Sequence, residues 1–338
     1  MSARSANTAL ENLTRGLERT TLPRLAPALG FEGDREYLQQ VELWSRWIMW
    51  EQEDPLVLKD DEPEVFKQRV LYVYKQAVMD LRFWPEMWVS AADWCYSNGL
   101  DKDADNFLEA GAKANPESSL IAFKRADRLE STLATGDADK STAERGSIVR
   151  APYDKLFDAL YDMNNQLKVR EARDLAKLEE SIALDASISA IISRAEEEDG
   201  DADPDKEARE AAKAAKMKVI KDGYITQTEV LSKTISFAWI ALMRAMRRVQ
   251  GKGTGKDDGN GGSRKIFGDA RKRGKITGDV YIAAALMEHN VYKDPAGTKI
   301  FERGAKLFPE DASYTLEYLK HLLSIGDTTS KSDEVFKN

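Results

Sequence analysis

The chain of 338 residues contains one cysteine, two histidines and no long apolar run. A single cysteine, Cys95, cannot form an intramolecular disulfide, so we expect a reducing compartment. The start of the sequence has no apolar stretch of the signal-peptide type. Its apolar runs fall short of the ~20 residues that a membrane-spanning helix needs. These absences predict a protein without a membrane segment.

The scarcity of histidine and cysteine also limits the chemistry of the chain. His289 and His321 lack the partners that a catalytic triad or a zinc site requires. Acidic residues at 199–210 follow the spacing of a calcium-binding loop, but Pro204 stands where that loop needs glycine. The glycine-rich stretch 251–256 lacks the spacing and the preceding strand of a phosphate-binding loop. We therefore expect no catalysis, no bound metal and no cofactor.

What the sequence does contain is a two-part aromatic pattern that recurs along the chain. Its steps are roughly 33 to 50 residues long, with one gap of roughly 110, and such a repeat is typical of stacked helical hairpins. The first series predicts one buried anchor on the first helix of each unit: Trp44, Trp88, Phe123, Trp239, Tyr281 and Tyr314. The second series predicts one on each second helix: Tyr74, Phe107, Phe157, Phe267, Phe301 and Phe336.

Smaller residues follow the aromatic ones at helical spacing. Three positions after the aromatic residue lie Ala91, Ala126 and Ala284 on first helices, and Ala77, Ala110, Ala270 and Gly304 on second helices. A large side chain that alternates with a small one lets neighbouring helices approach closely. Seven positions after the anchors lie Glu51, Glu130, Glu288 and His321. We expect these four to bond a group on a neighbouring helix.

These patterns divide the chain into an N-terminal segment, residues 1–36, and a repeat array, residues 37–338. The array holds about six units, of which the last is truncated after Phe336. Residues 131–150, rich in small and polar residues, are predicted to be a loop insertion. Residues 166–222 are predicted to be a charged and partly disordered insertion, with helical flanks around the acidic run 196–205.

Charge is distributed unevenly along the chain. The formal net charge is −8, whereas the stretch from Arg244 to Lys275 is strongly basic. It supplies the candidate contact residues Arg244, Arg247, Arg248, Arg264, Lys265, Arg271, Lys272 and Arg273. Three interpretations stay open: a solvated face, a docking site for an acidic protein partner, and a contact with the RNA backbone.

The combination of an aromatic anchor, a later glutamate and a second helix with an aromatic and a small residue resembles the half-a-TPR (HAT) repeat. Three stretches carry a closer resemblance: residues 41–56, residues 85–92, and residues 280–288 together with 299–304. They are similar to the scaffold subunit of the cleavage stimulation factor, whose yeast counterpart is the large subunit of cleavage factor IA. Residues 37–130, 150–165 and 228–338 carry this resemblance.

The resemblance implies an all-α fold, an α-solenoid of HAT repeats that corresponds to a fragment of the C-terminal HAT domain of that family. It also implies a nuclear, non-catalytic scaffold of pre-mRNA 3′-end cleavage and polyadenylation. Such a scaffold bridges the RNA-recognition subunit to other processing factors and forms a homodimer in the full protein, with indirect or weak contact to RNA. The alternative is a HAT-repeat protein of another RNA-processing complex that contacts RNA directly through residues 244–275.

Overall fold

Every regular element in the described part of the chain is a helix. The computed structural model describes residues 3–19, 24–26, 34–136, 140–195, 205–253 and 261–326. The helices are α1 (Ala3–Leu13), α2 (Asp34–Gln52), α3 (Pro63–Asp80), α4 (Pro85–Ser97), α5 (Asp101–Ala114), α6 (Ser119–Gly136), α7 (Thr142–Ala195), α8 (Asp205–Gln250), α9 (Gly262–Arg273), α10 (Gly278–Leu286), a π-helix (Met287–Val291), α11 (Ala296–Leu307) and α12 (Ala312–Ser324). The prediction of an all-α array of helical hairpins is confirmed.

The chain divides into two compact units. Unit 1 spans Met1–Gly136 and unit 2 spans Asp137–Asn338. Within each unit, consecutive helices pack against one another, α4 against α5 and α8 against α9 among them. The boundary falls between the two helices of the predicted third repeat, because Phe123 lies on α6 and Phe157 on α7.

Local sequence signals account for several helix ends. Pro63 and Pro85 are the first residues of α3 and α4, where the missing backbone donor has no intrahelical partner to lose. The Asp311 carboxylate accepts a bond of 3.0 Å from the backbone N–H of Tyr314, which caps α12. Gly274, with a φ of 74°, ends α9 in a conformation that favours glycine.

The aromatic anchors form the cores of both units. Trp44, Trp88, Trp239, Tyr281 and Tyr314 are all buried, as predicted. Phe123 was predicted to be a buried anchor, but its side chain is only half-buried. Its neighbours Ile121 and Ala122 are buried instead, so the inward face of α6 begins two residues before the predicted anchor.

The second aromatic series packs against the first. Phe157 stacks on Trp239 with ring centroids 3.9 Å apart. Phe267 meets Tyr281 edge to face at 5.2 Å, and Phe301 meets Tyr314 at 6.0 Å. In each of these pairs the second-helix aromatic residue of one repeat contacts the anchor of the next. The aromatic residues of unit 2 therefore form a ladder that joins successive hairpins, in keeping with the preference of rings for offset and edge-to-face contacts.

The small residues take the predicted places, with one shift. Ala77, Ala91 and Ala270 are completely buried. Ala110, in contrast, is exposed, and the close approach on α5 occurs one residue later. A Cβ atom added at Gly111 would lie 2.9 Å from the Cβ of Trp88. The small position of α5 is therefore four residues after Phe107, where one turn of helix places it on the same face.

Gly304 on α11 offers a direct test of this packing. A Cβ atom at Gly304 would lie 1.9 Å from the hydroxyl of Tyr314, and that hydroxyl donates a buried hydrogen bond to the carbonyl of Phe301 at 3.0 Å. We expect Gly304→Ala to lower the free energy of unfolding by about 1–3 kcal/mol, because overpacking strains a filled core. Urea denaturation of unit 2 measures the effect. Gly268→Ala on α9, which has open space around the new atom, is the control, and an equal loss in both variants would contradict the proposed packing.

The helices correct one predicted segment, the loop insertion. Residues 131–136 and 142–150 are helical, as parts of α6 and α7, so the predicted loop insertion 131–150 is largely wrong. Its small and polar residues are compatible with helix because Ala is a strong helix former and Ser141 caps α7 with a bond of 3.2 Å from the N–H of Glu144. The N-terminal segment also includes a helix, α1, whose Leu10 and Leu13 pack against the core of unit 1.

The charged insertion contains a long helical hairpin. Its described residues belong to α7 and α8, and the hydroxyl of Tyr224 donates a bond of 2.5 Å to the Asp174 carboxylate between them. Partly buried residues recur at three- and four-residue spacing: Leu175, Leu178 and Ile182 on α7, and Met217, Ile220 and Tyr224 on α8. Residues 196–204 of the acidic run lie outside the described residues, and so does Phe336. We call this pair of helices, residues 165–195 and 205–230, the arm.

Candidate interaction surface

The basic stretch 244–275 includes the last turns of α8, the whole of α9 and the turn after α9. The backbone around its glycine-rich segment is tied together, because the N–H groups of Ser263 and Arg264 donate to the carbonyls of Gly251 and Lys252 at 3.2 and 3.3 Å. A Cβ atom at Gly253 would lie 2.0 Å from the carbonyl oxygen of Gly261. Glycine here permits a close crossing of two backbone segments, and residues 254–260 lie outside the described part.

Arg264 is held inside unit 2 by two carboxylates. Its guanidinium donates to both oxygens of Glu288 at 2.7 and 2.8 Å, and to Asp294 at 2.9 Å. The two guanidinium N–H groups that point to Glu288 match the geometry of its carboxylate. These hydrogen bonds raise the pKa of Arg264. Asp294 also accepts a bond from Lys252 at 2.8 Å, which is the main reason that its pKa falls to about 2. Arg264 therefore joins α9 to the π-helix and is not a free contact residue.

Lys265 and Arg273 also face carboxylates of their own unit. Lys265 contacts Asp269 at 3.2 Å, and Asp269 in turn accepts from Arg150 of α7 at 2.9 Å. Arg273 lies 2.7 Å from Asp158 of α7. The pairs of Asp269 with Arg150 and of Arg273 with Asp158 connect α9 to α7, whereas Lys265 and Asp269 lie on the same helix. Three of the eight candidate residues thus pair with carboxylates of unit 2. The partners of Arg264 and Arg273 lie on other helices, which is why the basic stretch alone did not reveal them.

The other candidates lie at the surface. Arg244, Arg248, Arg271 and Lys272 are exposed, and Arg247 is half-buried. The guanidinium of Arg271 lies 5.5 Å from the centre of the Phe267 ring, a cation–π arrangement. Lys275 lies next to Lys168 of α7, and this neighbouring ammonium lowers the pKa of Lys275. Sequence reasoning missed Lys168, because only the folding of α7 against α8 and α9 brings it to this surface.

The position seven residues after the anchor behaves as predicted in three repeats. Glu51 is buried and accepts two bonds from Arg69 of α3, at 3.0 and 2.9 Å. Glu288 pairs with Arg264 in the same way. His321 is buried, with Nε2 3.0 Å from the hydroxyl of Thr298 on α11. Each of these side chains bonds a neighbouring helix, so the position ties adjacent helices together.

His321 should make the stability of unit 2 depend on pH. Its ring stacks on Phe301 at 4.7 Å and meets His289 at 4.8 Å. Burial, followed by the nearby His289, lowers the pKa of His321. The unfolded chain, with an ordinary histidine pKa of about 6.5, therefore binds the proton more readily than the folded chain. The stability that depends on neutral His321 is present above about pH 6.5 and is lost as the pH falls.

We expect the melting temperature to fall between pH 7.5 and 5.5, and His321→Gln to reduce that fall. Glutamine keeps an amide that can bond Thr298 but does not titrate. Melting curves of both proteins at the two pH values measure the difference. Equal pH dependence in the two proteins would show that His321 does not contribute.

Unit 1 carries a second surface feature that the aromatic periodicity did not predict. Two adjacent cavities, of about 530 and 230 Å³, open between α2, α3 and α4 and share Gln52, Tyr74, Glu86 and Ser90. The hydroxyl of Tyr74 lies 3.0 Å from Nε2 of Gln52 and 3.1 Å from Oγ of Ser90. Tyr74 is thus bonded to two of the other lining residues, Gln52 and Ser90. Nothing in the repeat pattern marks these residues, because most of them are ordinary polar residues at helix surfaces.

Neither unit shows the features of a metal centre in its described residues. Among them, no group of three or more His, Cys, Asp and Glu side chains could hold an ion. Likewise, none of the helices in the described ranges has the length and apolar character to cross a bilayer.

Comparison with known proteins then assigns the chain. The sequence profile of the Suppressor of forked protein (Suf) family matches residues 1–336. The chain belongs to the Suf family. This match includes the N-terminal segment and the charged insertion, so the expectation that these two regions fall outside the family resemblance is wrong.

Fungal relatives of high identity are named mRNA 3′-end-processing proteins. The chain is 56% identical to rna14 of Aspergillus fumigatus over 97% of its own length and 31% of the relative. It is 53% identical to rna-14 of Neurospora crassa over 98% of its length and 28% of the relative. The chain thus spans about 30% of the length of these relatives. A crystal structure of CstF-77 aligns with a TM-score of 0.43 and 13% identity, covering 99% of this chain and 64% of that one.

Proposed function

We propose that the chain is part of a non-catalytic scaffold of pre-mRNA 3′-end cleavage and polyadenylation. The observation that carries the proposal is the high identity, over nearly the whole chain, to fungal proteins named for mRNA 3′-end processing. The scaffold bridges the RNA-recognition subunit to other processing factors, forms a homodimer through its HAT domain and works in the nucleus.

The physical character of the two units supports a binding role. Their large aromatic side chains are used for packing between hairpins, and their buried charges are used for ion pairs between helices. Stacked hairpins of this kind present extended surfaces for partner proteins. A scaffold needs such surfaces and does not need a reactive group.

Contact with RNA is indirect or weak in this proposal. Arg264, Lys265 and Arg273 are engaged by carboxylates, which leaves fewer cations to neutralise phosphates. Each phosphate contact that is lost reduces both the affinity and its salt dependence. The alternative, direct RNA binding through residues 244–275, predicts tight retention of RNA at physiological salt. Filter binding should instead show weak retention that disappears in the double variant Arg271→Glu, Lys272→Glu.

Affinity purification of the full-length protein tests the scaffold function. Because the partners are proteins, the other subunits of the 3′-end processing machinery should remain bound after ribonuclease treatment. Quantitative mass spectrometry of treated and untreated samples measures their stoichiometry. Loss of these subunits on ribonuclease treatment, or recovery of a different RNA-processing complex, would contradict the proposal.

A further inference from the structure

Helices α2 and α4 of unit 1 border a groove on its surface. A stripe of α2 with Ser45, Met49 and Gln52 lies on one side, and a stripe of α4 with Glu86 and Ser90 lies on the other. Within each stripe the residues are three or four positions apart, so each helix turns one face towards the groove. The two cavities described above lie in this groove, and the larger, of about 530 Å³, has the volume of a ligand site.

Large apolar side chains line much of the groove. Trp84 borders the smaller cavity and Trp94 borders the larger one, and both tryptophans are only half-buried. The ring of Trp94 lies 5.9 Å from that of Tyr74. Met49 and Leu120 at the edge of the groove are 53% and 44% exposed. Such a lining gains stability when another apolar side chain covers it, and its rings attract cations.

The charged residues that line the two cavities are acidic. They are Glu86 and Asp93, and no lysine, arginine or histidine is among the described lining residues. Asp93 pairs with Lys124 of α6 at 2.6 Å. Glu86 is exposed, and no cation in the described part of the chain pairs with it. An exposed carboxylate close to tryptophan rings is complementary to a cation.

The charge of Glu86 also acts on the buried phenol of Tyr37. Tyr37 is 5% exposed, and its ring lies 5.7 Å from that of Trp84. Burial, followed by the charges of Asp80 and Glu86, raises the pKa of Tyr37 to about 12. The negative potential of Glu86 therefore extends to Tyr37, and the described lining residues supply no cation that offsets it.

We propose that this groove binds a segment of a partner protein that carries an arginine close to an apolar residue. The guanidinium pairs with Glu86 beside Trp84, because arginine both matches the geometry of a carboxylate and stacks on aromatic rings. The apolar residue covers Trp94 and Leu120. RNA does not suit the groove, because its phosphates would face carboxylates. The inference rests on the scaffold function proposed above and names the chemistry of one of its protein partners.

The spacing within the groove defines a probe. Glu86 and Trp94 are separated on α4 by a rise of about 12 Å, which an extended segment spans in about four residues. A labelled peptide of about nine residues therefore has arginine at its centre and leucine at both ends, so that either chain direction places a leucine at Trp94. A matched peptide has citrulline in place of arginine, since citrulline has nearly the same shape and no charge.

Fluorescence anisotropy with the whole chain measures the binding of both peptides. We expect a dissociation constant below about 1 mM for the arginine peptide. The citrulline peptide should bind about fivefold more weakly, because it lacks the charge that pairs with Glu86. Binding of the arginine peptide should also weaken as salt rises.

Variants locate the binding in the groove. Glu86→Gln should weaken binding of the arginine peptide about fivefold and leave that of the citrulline peptide unchanged. Lys124→Met should strengthen binding of the arginine peptide about twofold, because Asp93 then acts on the bound cation. The control Glu109→Gln removes the same charge from α5, which supplies none of the described lining residues, and should bind as the wild type does. Melting curves confirm that each variant is folded.

The remaining outcomes overturn the proposal. They are no binding of the arginine peptide at about 1 mM, equal binding of the citrulline peptide, and binding that Glu86→Gln leaves unchanged. Sedimentation of the wild type and of Glu86→Lys tests a second copy as the occupant, and self-association that the variant loses would also overturn the proposal. If the full-length protein still co-purifies with 3′-end processing subunits while the peptide fails to bind, only the inference about the groove fails and the scaffold function stands.

Discussion

Trp239→Ala should lower the free energy of unfolding of unit 2 by about 3–5 kcal/mol. Trp239 is 1% exposed, stacks on Phe157 at 3.9 Å and donates from Nε1 to the hydroxyl of Tyr161 at 3.2 Å. The substitution removes the ring pair with the shortest centroid distance in the aromatic ladder and leaves a cavity between α7 and α8. Guanidinium denaturation followed by circular dichroism measures the loss.

Leu307→Ala provides the control for Trp239 in the same unit. Leu307 lies at the end of α11 and is 53% exposed, so its truncation should change stability by no more than about 0.5 kcal/mol. A loss below about 1 kcal/mol for Trp239→Ala would mean that the aromatic ladder does not hold successive hairpins together.

Arg264→Met should also be strongly destabilising, although Arg264 belongs to the basic stretch predicted to contact partners. Its removal leaves the carboxylate of Glu288, which is 7% exposed, without its bidentate partner. Breaking a buried ion pair from one side costs about 3–5 kcal/mol, and the partial exposure of Arg264 places the expected loss near the lower limit. Lys272→Met, also on α9 and exposed, is the matched control and should have little effect.

Comparing Arg264→Met with Lys272→Met also distinguishes cations that stabilise the fold from cations that are available to contact a partner. If Arg264→Met retained full stability, Glu288 would have to be bonded in another way, and Arg264 would become available as a contact residue. The thermal unfolding of both variants at low and moderate salt decides this point, because screening weakens an exposed charge more than a buried pair.

The sequence predicted the repeat architecture well because aromatic side chains at a fixed period leave few alternatives to stacked hairpins. Trp44, Trp239 and Tyr314 are buried for that reason. Phe123 was misplaced because Ile121, an ordinary aliphatic residue, fills the core at that point of α6. Aromatic periodicity alone cannot show where an aliphatic residue fills the core in place of the aromatic anchor.

Charge patterns were less informative than aromatic ones. A basic run in the sequence does not show which cations are engaged, since Arg264 pairs with Glu288 and Arg273 with Asp158, far along the chain.

The proposed scaffold function requires that the HAT-repeat fold of this chain be intact during pre-mRNA 3′-end processing. The most direct measurement is cleavage of a pre-mRNA substrate in an extract depleted of the full-length protein. Adding back the wild-type protein should restore cleavage, and so should Leu307→Ala. The double variant Trp44→Ala, Trp239→Ala, which removes one core anchor from each unit, should not restore it. Full cleavage with the double variant, or no loss of cleavage on depletion, would contradict the account.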